Sequence, residues 1–564
     1  MDGILRRFVI CAVALASLAV SPSHAQGEPA DRPNFLLIVF EDMSPHIGAY
    51  GDPVAQTPVL DAFAGDSVLY KAAFTTAGVC APSRAALAMG VPQESIGAQQ
   101  MRVASGVTLE DGSRLPYAAV PPPYIKAYPE LLRRAGYYTS NNGKTDYQLA
   151  MSHTGGPFTI WDDSDAPHPW RGRAEGQPFF AMVNIMETHE SWTFPLDLAP
   201  DAHPMAARIG AQLREALTGR PQIHDPADVV VPPYLPDTRL VRAELAQMLD
   251  NIYYYEQTVA RLLAELEEDG LADNTIVIVT TDHGDGIPRA KRSLYDSGLH
   301  VPLMVRWPDG HGAGTRDGQL VSFVDIAPTI LQLAGEEVPQ WLAGRTFLGS
   351  ETGPERGYIY AAMDRHDEQR DFARAVRDDR WKYIRNYEPQ RPFFRHLGFR
   401  DMQRSMQELW RLHEAGELPP RIEQYFTAPR PEEELYDTWA DPDEMANLAQ
   451  DPRYVRELER MRDTLARHQQ RFDDQSVGGE LAMVQRMWPQ LEQPVTQAPE
   501  IVQGEAGLVR LASPTPGASI GYRVDGGAWK VYVDPVALAA WQVLEAKAVR
   551  YGFAESAVTQ VIGH

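Results

Sequence analysis

The chain has 564 residues but only two cysteines, Cys11 and Cys80. That scarcity excludes the disulfide framework that staples small secreted domains. Positive charge is also in deficit. The 52 Lys and Arg stand against 76 Asp and Glu, for a formal net charge of -24. Such a balance excludes a general nucleic-acid binder or a polybasic membrane-surface protein, though it allows a local basic pocket. After the N-terminal segment no apolar run reaches the roughly 18 residues that cross a bilayer, so no membrane span is expected. Internal repeats and low-complexity tracts are missing as well. What is present is ordinary globular composition, 44% hydrophobic and 23% charged, in a chain long enough for two or three domains.

The first residues read as an export signal over 1–25. Arg6 and Arg7 make a basic start, Phe8 to Val20 a short apolar run, and Ser23-His24-Ala25 a small-x-small cleavage site. The mature protein is therefore expected in the periplasm or outside the cell. Cys11 leaves with the signal, and Cys80 remains as an unpaired thiol in an oxidising compartment.

Continuous apolar runs at Asn34–Phe40, Phe179–Ile185 and Thr275–Thr281 suit parallel strands buried on both faces. Helical patterns alternate with them: Pro58–Ala64, Tyr128–Ala135 closed by Gly136, and one long amphipathic helix over Leu240–Glu268. The expected fold class is α/β, a mostly parallel sheet with helices on both faces, over residues 32–350. Residues 197–237, rich in Pro, Asp and Ala, read as a surface excursion. From 351 to 500 the pattern changes to a smaller α+β subdomain. Its antiparallel strands fall near 358–363, 373–376 and 381–384, and its helices over 400–425 and 452–472. Residues 501–564 read as a small β-sandwich-like module with an Asp525-Gly526 turn.

Chemistry collects at the strand ends. Glu41 and Asp42, His189, and Asp282 with His283 each follow an apolar run, and parallel strands bring such ends to one edge. Cys80 opens a helix running to Met89, and Arg84 shares its face four residues on. A helix start beside a guanidinium grips a tetrahedral oxyanion. Glu41, Asp42 and Asp282 offer oxygens to a hard divalent cation, and His283 would suit a softer one. Lys144 and Lys291 follow Gly- or Pro-containing loops and suit point contact with an oxyanion. Trp170, Trp192 and His168 read either as sugar-stacking groups near this edge or as ordinary packing residues.

Cys80-Ala81-Pro82-Ser83-Arg84 matches the Cys-x-Pro-x-Arg signature of type I sulfatases, within the alkaline phosphatase-like superfamily. Asn34 to Asp42, Thr281 to Gly284, Leu294 to Leu303, Glu434 to Asp437, Asp441-Pro442 and Asn447-Leu448 resemble further signatures of that family. The resemblance implies an alkaline phosphatase-like fold. It also implies that a formylglycine-generating or anaerobic sulfatase-maturating enzyme converts Cys80 to Cα-formylglycine. One divalent cation, Ca2+ or Mg2+, is implied at Glu41, Asp42, Cys80, Asp282 and His283. One hydroxyl of the aldehyde hydrate then attacks the sulfur of a sulfate ester, and the second hydroxyl allows the sulfated intermediate to collapse. Arg84 is implied to orient the hydrate, so Arg84→Ala would cost mainly substrate positioning. Lys144, Lys291 and the metal neutralise the sulfuryl oxygens, and His189 or Lys291 protonates the leaving alcohol.

The chain departs from the family pattern in having Glu41-Asp42 for Asp-Asp, Asp282-His283 for Asp-Asn, and Lys144-Thr145-Asp146 where Lys-x-His is common. Asp146, or one of His153, His46 and His300, is left as the base for collapse. The expected substrate is a sulfated mono-, oligo- or polysaccharide. A phosphate or phosphonate ester hydrolase of the same superfamily is the alternative enzyme. A non-catalytic glycan-binding relative is the alternative from another class.

Overall fold

A computed structural model describes residues 32–151, 156–504 and 507–563. The expected export segment, with Cys11, lies outside the described residues, as does His153. The core is a seven-stranded sheet. In spatial order its strands are Tyr138–Asn141, Phe179–Ile185, Asn34–Phe40, Thr275–Thr281, His300–Arg306, Val68–Phe74 and Arg316–Ser322. Only His300–Arg306 runs against its neighbours; the other pairings are parallel. Side-chain alternation along Asn34–Phe40 splits its residues between two cores. Leu36, Ile38 and Phe40 face one, with Leu245, Ile252 and Leu262; Phe35, Leu37 and Val39 face the other, with Leu87, Leu132 and Ile330. Helices thus cover both faces, which is why these strands read as unbroken apolar runs.

The expected helix over 240–268 is two, Arg239–Tyr255 and Gln257–Glu268, meeting at Glu256. The Glu256 carboxylate accepts hydrogen bonds from the backbone N–H groups of Val59 (3.1 Å) and Leu60 (2.9 Å), at the start of the helix Pro58–Gly65. The excursion over 197–237 contains a helix, Ala206–Leu217, whose Ile209 and Leu213 pack with Trp192 and Phe194. Its Pro-rich flanks hide the helical period.

A second sheet is antiparallel, in the order Ile359–Met363, Ala373–Arg377, Trp381–Asn386 and Glu433–Asp437. Helix Val455–Phe472 packs Leu458, Met461 and Leu465 on it. Over 400–425 the α-helical residues are Arg404–Ala415 and Pro420–Glu423, flanked by 3-10 turns at Arg400–Met402 and Gln424–Phe426. A further helix, Glu480–Met487, was not expected. The C-terminal residues form a three-stranded and a four-stranded sheet closing on Val509, Leu511, Leu544 and Ala546. Asp525 (φ 51°) and Gly526 (φ 73°) both adopt the left-handed conformation that the expected turn requires.

This last unit is braced by buried polar groups. Glu130 of helix Tyr128–Arg134 accepts bonds from Ser519 (2.5 Å) and Tyr551 (2.6 Å), and Lys126 donates to the Gly517 carbonyl (2.7 Å).

Candidate active site

The carboxyl ends of Asn34–Phe40, Phe179–Ile185 and Thr275–Thr281 deliver Glu41-Asp42, His189 and Asp282-His283 to one place. Cys80 meets them from the first turn of helix Cys80–Met89. Ligand atoms of Glu41, Asp42, Cys80 and His189 lie within 4.8 Å of one another, and so do those of Asp42, Cys80, Asp282 and His283. Cys80 Sγ is 3.3 Å from His283 Nε2, 3.8 Å from Glu41 Oε2 and 3.9 Å from Asp42 Oδ1. Every one of these groups except His189 is fully or almost fully buried. Burial pushes the Cys80 thiol up.

Tight loop packing sets this convergence. A Cβ on Gly78 would lie 2.4 Å from the Ser293 carbonyl, and one on Gly284 2.2 Å from that of Ser297. Only glycine lets the cysteine loop and the His283 loop rest on the 293–298 segment. Asp42 (φ 49°), Asp146 (φ 53°) and Arg292 (φ 65°) hold left-handed backbone, a strain common where side chains are aimed at a site.

Arg84 differs from its expected role. Its side chain is fully buried, and all three guanidinium nitrogens are engaged by protein. Nη2 donates to Glu41, Nε to Asp282 (3.2 Å) and Nη1 to Asn184 Oδ1 (2.6 Å). It ties two strand-end carboxylates together. Lys291 is likewise buried, 2.6 Å from Asp42 and 3.1 Å from Glu190. Burial opposes its charge, but Asp42 keeps it protonated and raises its pKa. Lys144 is 3.1 Å from Glu41 and 3.7 Å from Asp146, which also lies 3.4 Å from Arg102.

The two histidines are set up differently. His283 Nδ1 lies 2.9 Å from the Gly284 carbonyl and donates to it, so Nε2 faces Asp42 (3.0 Å) and Asp282 (3.7 Å). Burial works against charge there, yet Asp282 and Asp42 raise its pKa well above the ordinary value. His189 goes the other way. Burial and nearby Lys291 lower its pKa to about 4. The Ser191 N–H donates to His189 Nδ1 (3.2 Å), which places the proton of the neutral ring on Nε2.

Sequence reasoning missed three members. Glu190 accepts a bidentate pair from Arg292 (2.9 and 2.8 Å), and against the cost of burial Arg292 and Lys291 hold its pKa down at about 2. Asn184 holds Arg84. Glu190 and Arg292 adjoin His189 and Lys291 in sequence, and Asn184 is the polar residue in an apolar strand; those were the available signals. Of the alternatives to Asp146, His300 is engaged with the Lys71 carbonyl (2.8 Å) and His46 with Asp52 and Asp285. Trp170 does not sit at this edge: it stacks on Phe179, at the opposite end of its strand, and donates to Asp269 (2.7 Å). His168 is exposed, while Trp192 is buried beside the site.

His46 bridges Asp52 (2.7 Å) and Asp285 (2.9 Å), and Asp285 in turn accepts from the Ser44 N–H (2.8 Å). It therefore braces the loops that follow Asp42 and His283. Burial disfavours its charge, but Asp285 and Asp52 raise its pKa from 6.5 to about 10. The folded state binds this proton more tightly, so the stabilisation is complete below pH 6.5 and disappears as pH rises through 10. Between those values urea denaturation should show wild-type stability falling by up to about 1.4 kcal/mol per pH unit relative to His46→Gln. Parallel pH profiles for the two proteins would refute the brace.

A cavity of about 630 Å3 opens over the cluster, lined by Lys144, Asp146, His189, Trp192, Arg208 and Arg292 among others. Arg208 and Ile209 come from the helix within the excursion. The fold and this centre define the class: a mostly parallel α/β enzyme with a buried acidic and cationic cluster at the carboxyl edge, open to a cavity lined by charged side chains of both signs. Residues 33–336 match the sulfatase family model, and 289–417 match that of the C-terminal part of N-sulphoglucosamine sulphohydrolase. The chain is 40% identical over 554 residues to an ulvan-active sulfatase of Formosa agariphila, covering 94% of this chain and 91% of that enzyme. It is 29% identical to human N-sulphoglucosamine sulphohydrolase, covering 77% and 89%. The solved structure of BT4656 with its substrate D-glucosamine-2-N,6-O-disulfate aligns at TM-score 0.51 and 18% identity, covering 78% of this chain and 98% of that one. The chain belongs to the sulfatase family and is a sulfuric ester hydrolase of alkaline phosphatase-like fold.

Proposed function

We propose that this enzyme removes sulfate from a sulfated carbohydrate after export, with Cys80 converted by a separate maturation enzyme to Cα-formylglycine. The observation that carries the reading is the seat of Cys80. Its Sγ faces two buried carboxylates and His283 Nε2, directly behind Lys144 and His189 on the cavity wall. The carbohydrate class is supported by the relatives named above, which act on ulvan or on sulfated glucosamine.

The buried donors fit a divalent cation. Glu41, Asp42 and Asp282 converge as hard oxygen ligands, and His283 turns Nε2 toward them. Those four residues would hold Ca2+ or Mg2+, which when bound supplies a Lewis acid for sulfuryl oxygen. The formylglycine hydrate supplies the nucleophilic hydroxyl at position 80. Lys144 Nζ, at the cavity wall, pairs with sulfuryl oxygens as negative charge grows on them. Lys291, one layer deeper, keeps Asp42 ionised and fixed. His189, neutral with its proton on Nε2, donates to the leaving oxygen. Asp146, one of the carboxylates on the cavity wall and held beside Lys144 and Arg102, takes a proton during release of sulfate.

Matured protein assayed on a panel of sulfated mono- and oligosaccharides, an aryl sulfate and an aryl phosphate tests the reading. Sulfate release should dominate, fall to background in chelator and return with Ca2+ or Mg2+. Dominant phosphate release, or chelator-insensitive turnover, would overturn it.

A further inference from the structure

Helix Cys80–Met89 points away from the active site, and its far end opens on a second and larger cavity. At 1.5 Å per residue the helix is about 15 Å long, which separates this cavity from Cys80. Its volume is about 880 Å3, and its wall includes Val91, Trp341, Arg471, Phe472, Arg486 and Arg550. Helix Val455–Phe472 contributes Arg471 and Phe472, and the C-terminal β-unit contributes Arg550. A neighbouring cavity of about 300 Å3 shares Leu342, Arg471 and Phe472 and adds Arg467, so the two adjoin along one groove wall.

The charge of the larger cavity opposes that of the whole protein. Against a net -24 it gathers three arginines and one carboxylate, Asp473, whose oxygen is already bonded by Gln475 (2.8 Å). Among the described residues none of the three arginines has a carboxylate partner. Arg471 lies exposed along the Phe472 ring (4.9 Å), and Arg486 reaches only the Gln475 carbonyl (3.1 Å) and side chain. Arg550 is the most telling. It is only 4% exposed, its Nη2 donates to the Pro121 carbonyl, and its Nη1 has no hydrogen-bond partner among the described residues. A buried guanidinium without a counter-charge is costly unless an anion completes it. Beside these cations stand apolar planes: Trp341 and Phe472, half-buried, and Tyr124 at 62% exposure. Arginines interleaved with aromatic faces suit a ligand that alternates anionic groups with flat apolar ring faces.

We propose that this groove is an ancillary binding site for a sulfated polysaccharide, holding the polymer away from the catalytic cavity. The C-terminal β-unit then serves as one wall of the site as well as a brace. The ligand class rests on the sulfatase reading, but the site is tested without turnover.

In full-length protein carrying Cys80→Ala, calorimetric binding of dextran sulfate is compared with and without Arg471→Ala and Arg486→Ala together. Both arginines are exposed, so the pair should leave folding intact. The expected result is about tenfold weaker binding in the double variant, with affinity falling as salt screens the charges and no binding of neutral dextran. In matured protein the same pair should raise KM on a sulfated polymer and leave kcat/KM on an aryl sulfate unchanged. Unaltered dextran sulfate affinity would overturn the proposal, as would equally tight, equally arginine-dependent binding of single-stranded DNA. Failure of sulfate release in the substrate panel, with this binding intact, would sink the sulfatase reading alone.

Discussion

Cys80→Ala is expected to lower turnover of an aryl sulfate by on the order of 10^4-fold or more, with thermal stability close to wild type. The two halves of this expectation have separate causes. Sγ lies within 4 Å of Glu41, Asp42 and His283 Nε2, and on the proposed mechanism its replacement removes the position from which the nucleophile is made. The rest of the Cys80 environment, with Val79, Ala81 and Met101, is apolar and accepts a methyl group. The thiol is not needed to balance the acidic cluster, because Arg84, Lys144 and Lys291 already do so. Mass spectrometry of the peptide containing residue 80, assay of released sulfate and a melting curve measure the three quantities together. Retained turnover in the variant would overturn the assignment of Cys80, and unmodified thiol in fully active protein would overturn formylglycine.

Arg84→Ala is expected to cost about 3–5 kcal/mol of stability in addition to activity. From the motif alone its role would be substrate positioning. In the folded protein its guanidinium is sealed between Glu41, Asp282 and Asn184 and touches no open cavity. Deleting it leaves two carboxylates facing each other in the interior without that counter-charge, which is the costly way to break a buried ion pair. Arg84→Lys should recover only part of the loss, since one ammonium cannot span three acceptors in a planar fork. Chemical denaturation and kinetics on the same preparations check this. Wild-type stability with a defect confined to KM would restore the positioning role.

The two effects show which links were visible in the chain and which were not. Strands buried on both faces announce themselves as unbroken apolar runs, because both pleat directions must be apolar; Asn34–Phe40 is the clearest case. The helix Ala206–Leu217 did not, since only one narrow stripe of it is buried and its flanks are rich in proline. That helix nevertheless builds a wall of the catalytic cavity through Arg208 and Ile209. Likewise the histidines of the chain look equivalent in sequence. Only their neighbours separate His189, held low beside Lys291, from His46, held high between two carboxylates.

At the candidate site, apart from a five-residue signature that speaks only through its resemblance to a family, the sequence by itself determined the ingredients: a cysteine at a helix start and acidic pairs after apolar strands. Chain order and hydrophobic period suffice for that, because strand ends of a parallel sheet must share an edge. The pairings were decided by tertiary structure alone. Arg84 is 43 residues from Glu41 and 198 from Asp282, and no local rule relates them. The same holds for Glu190 with Arg292, 102 residues apart, and for Arg550, which has no carboxylate partner among the described residues and lines the second cavity with Arg471 and Arg486. Short-range physics sets which groups a segment presents. Which charge neutralises which, and which is left waiting for a ligand, follows only when the segments are packed together.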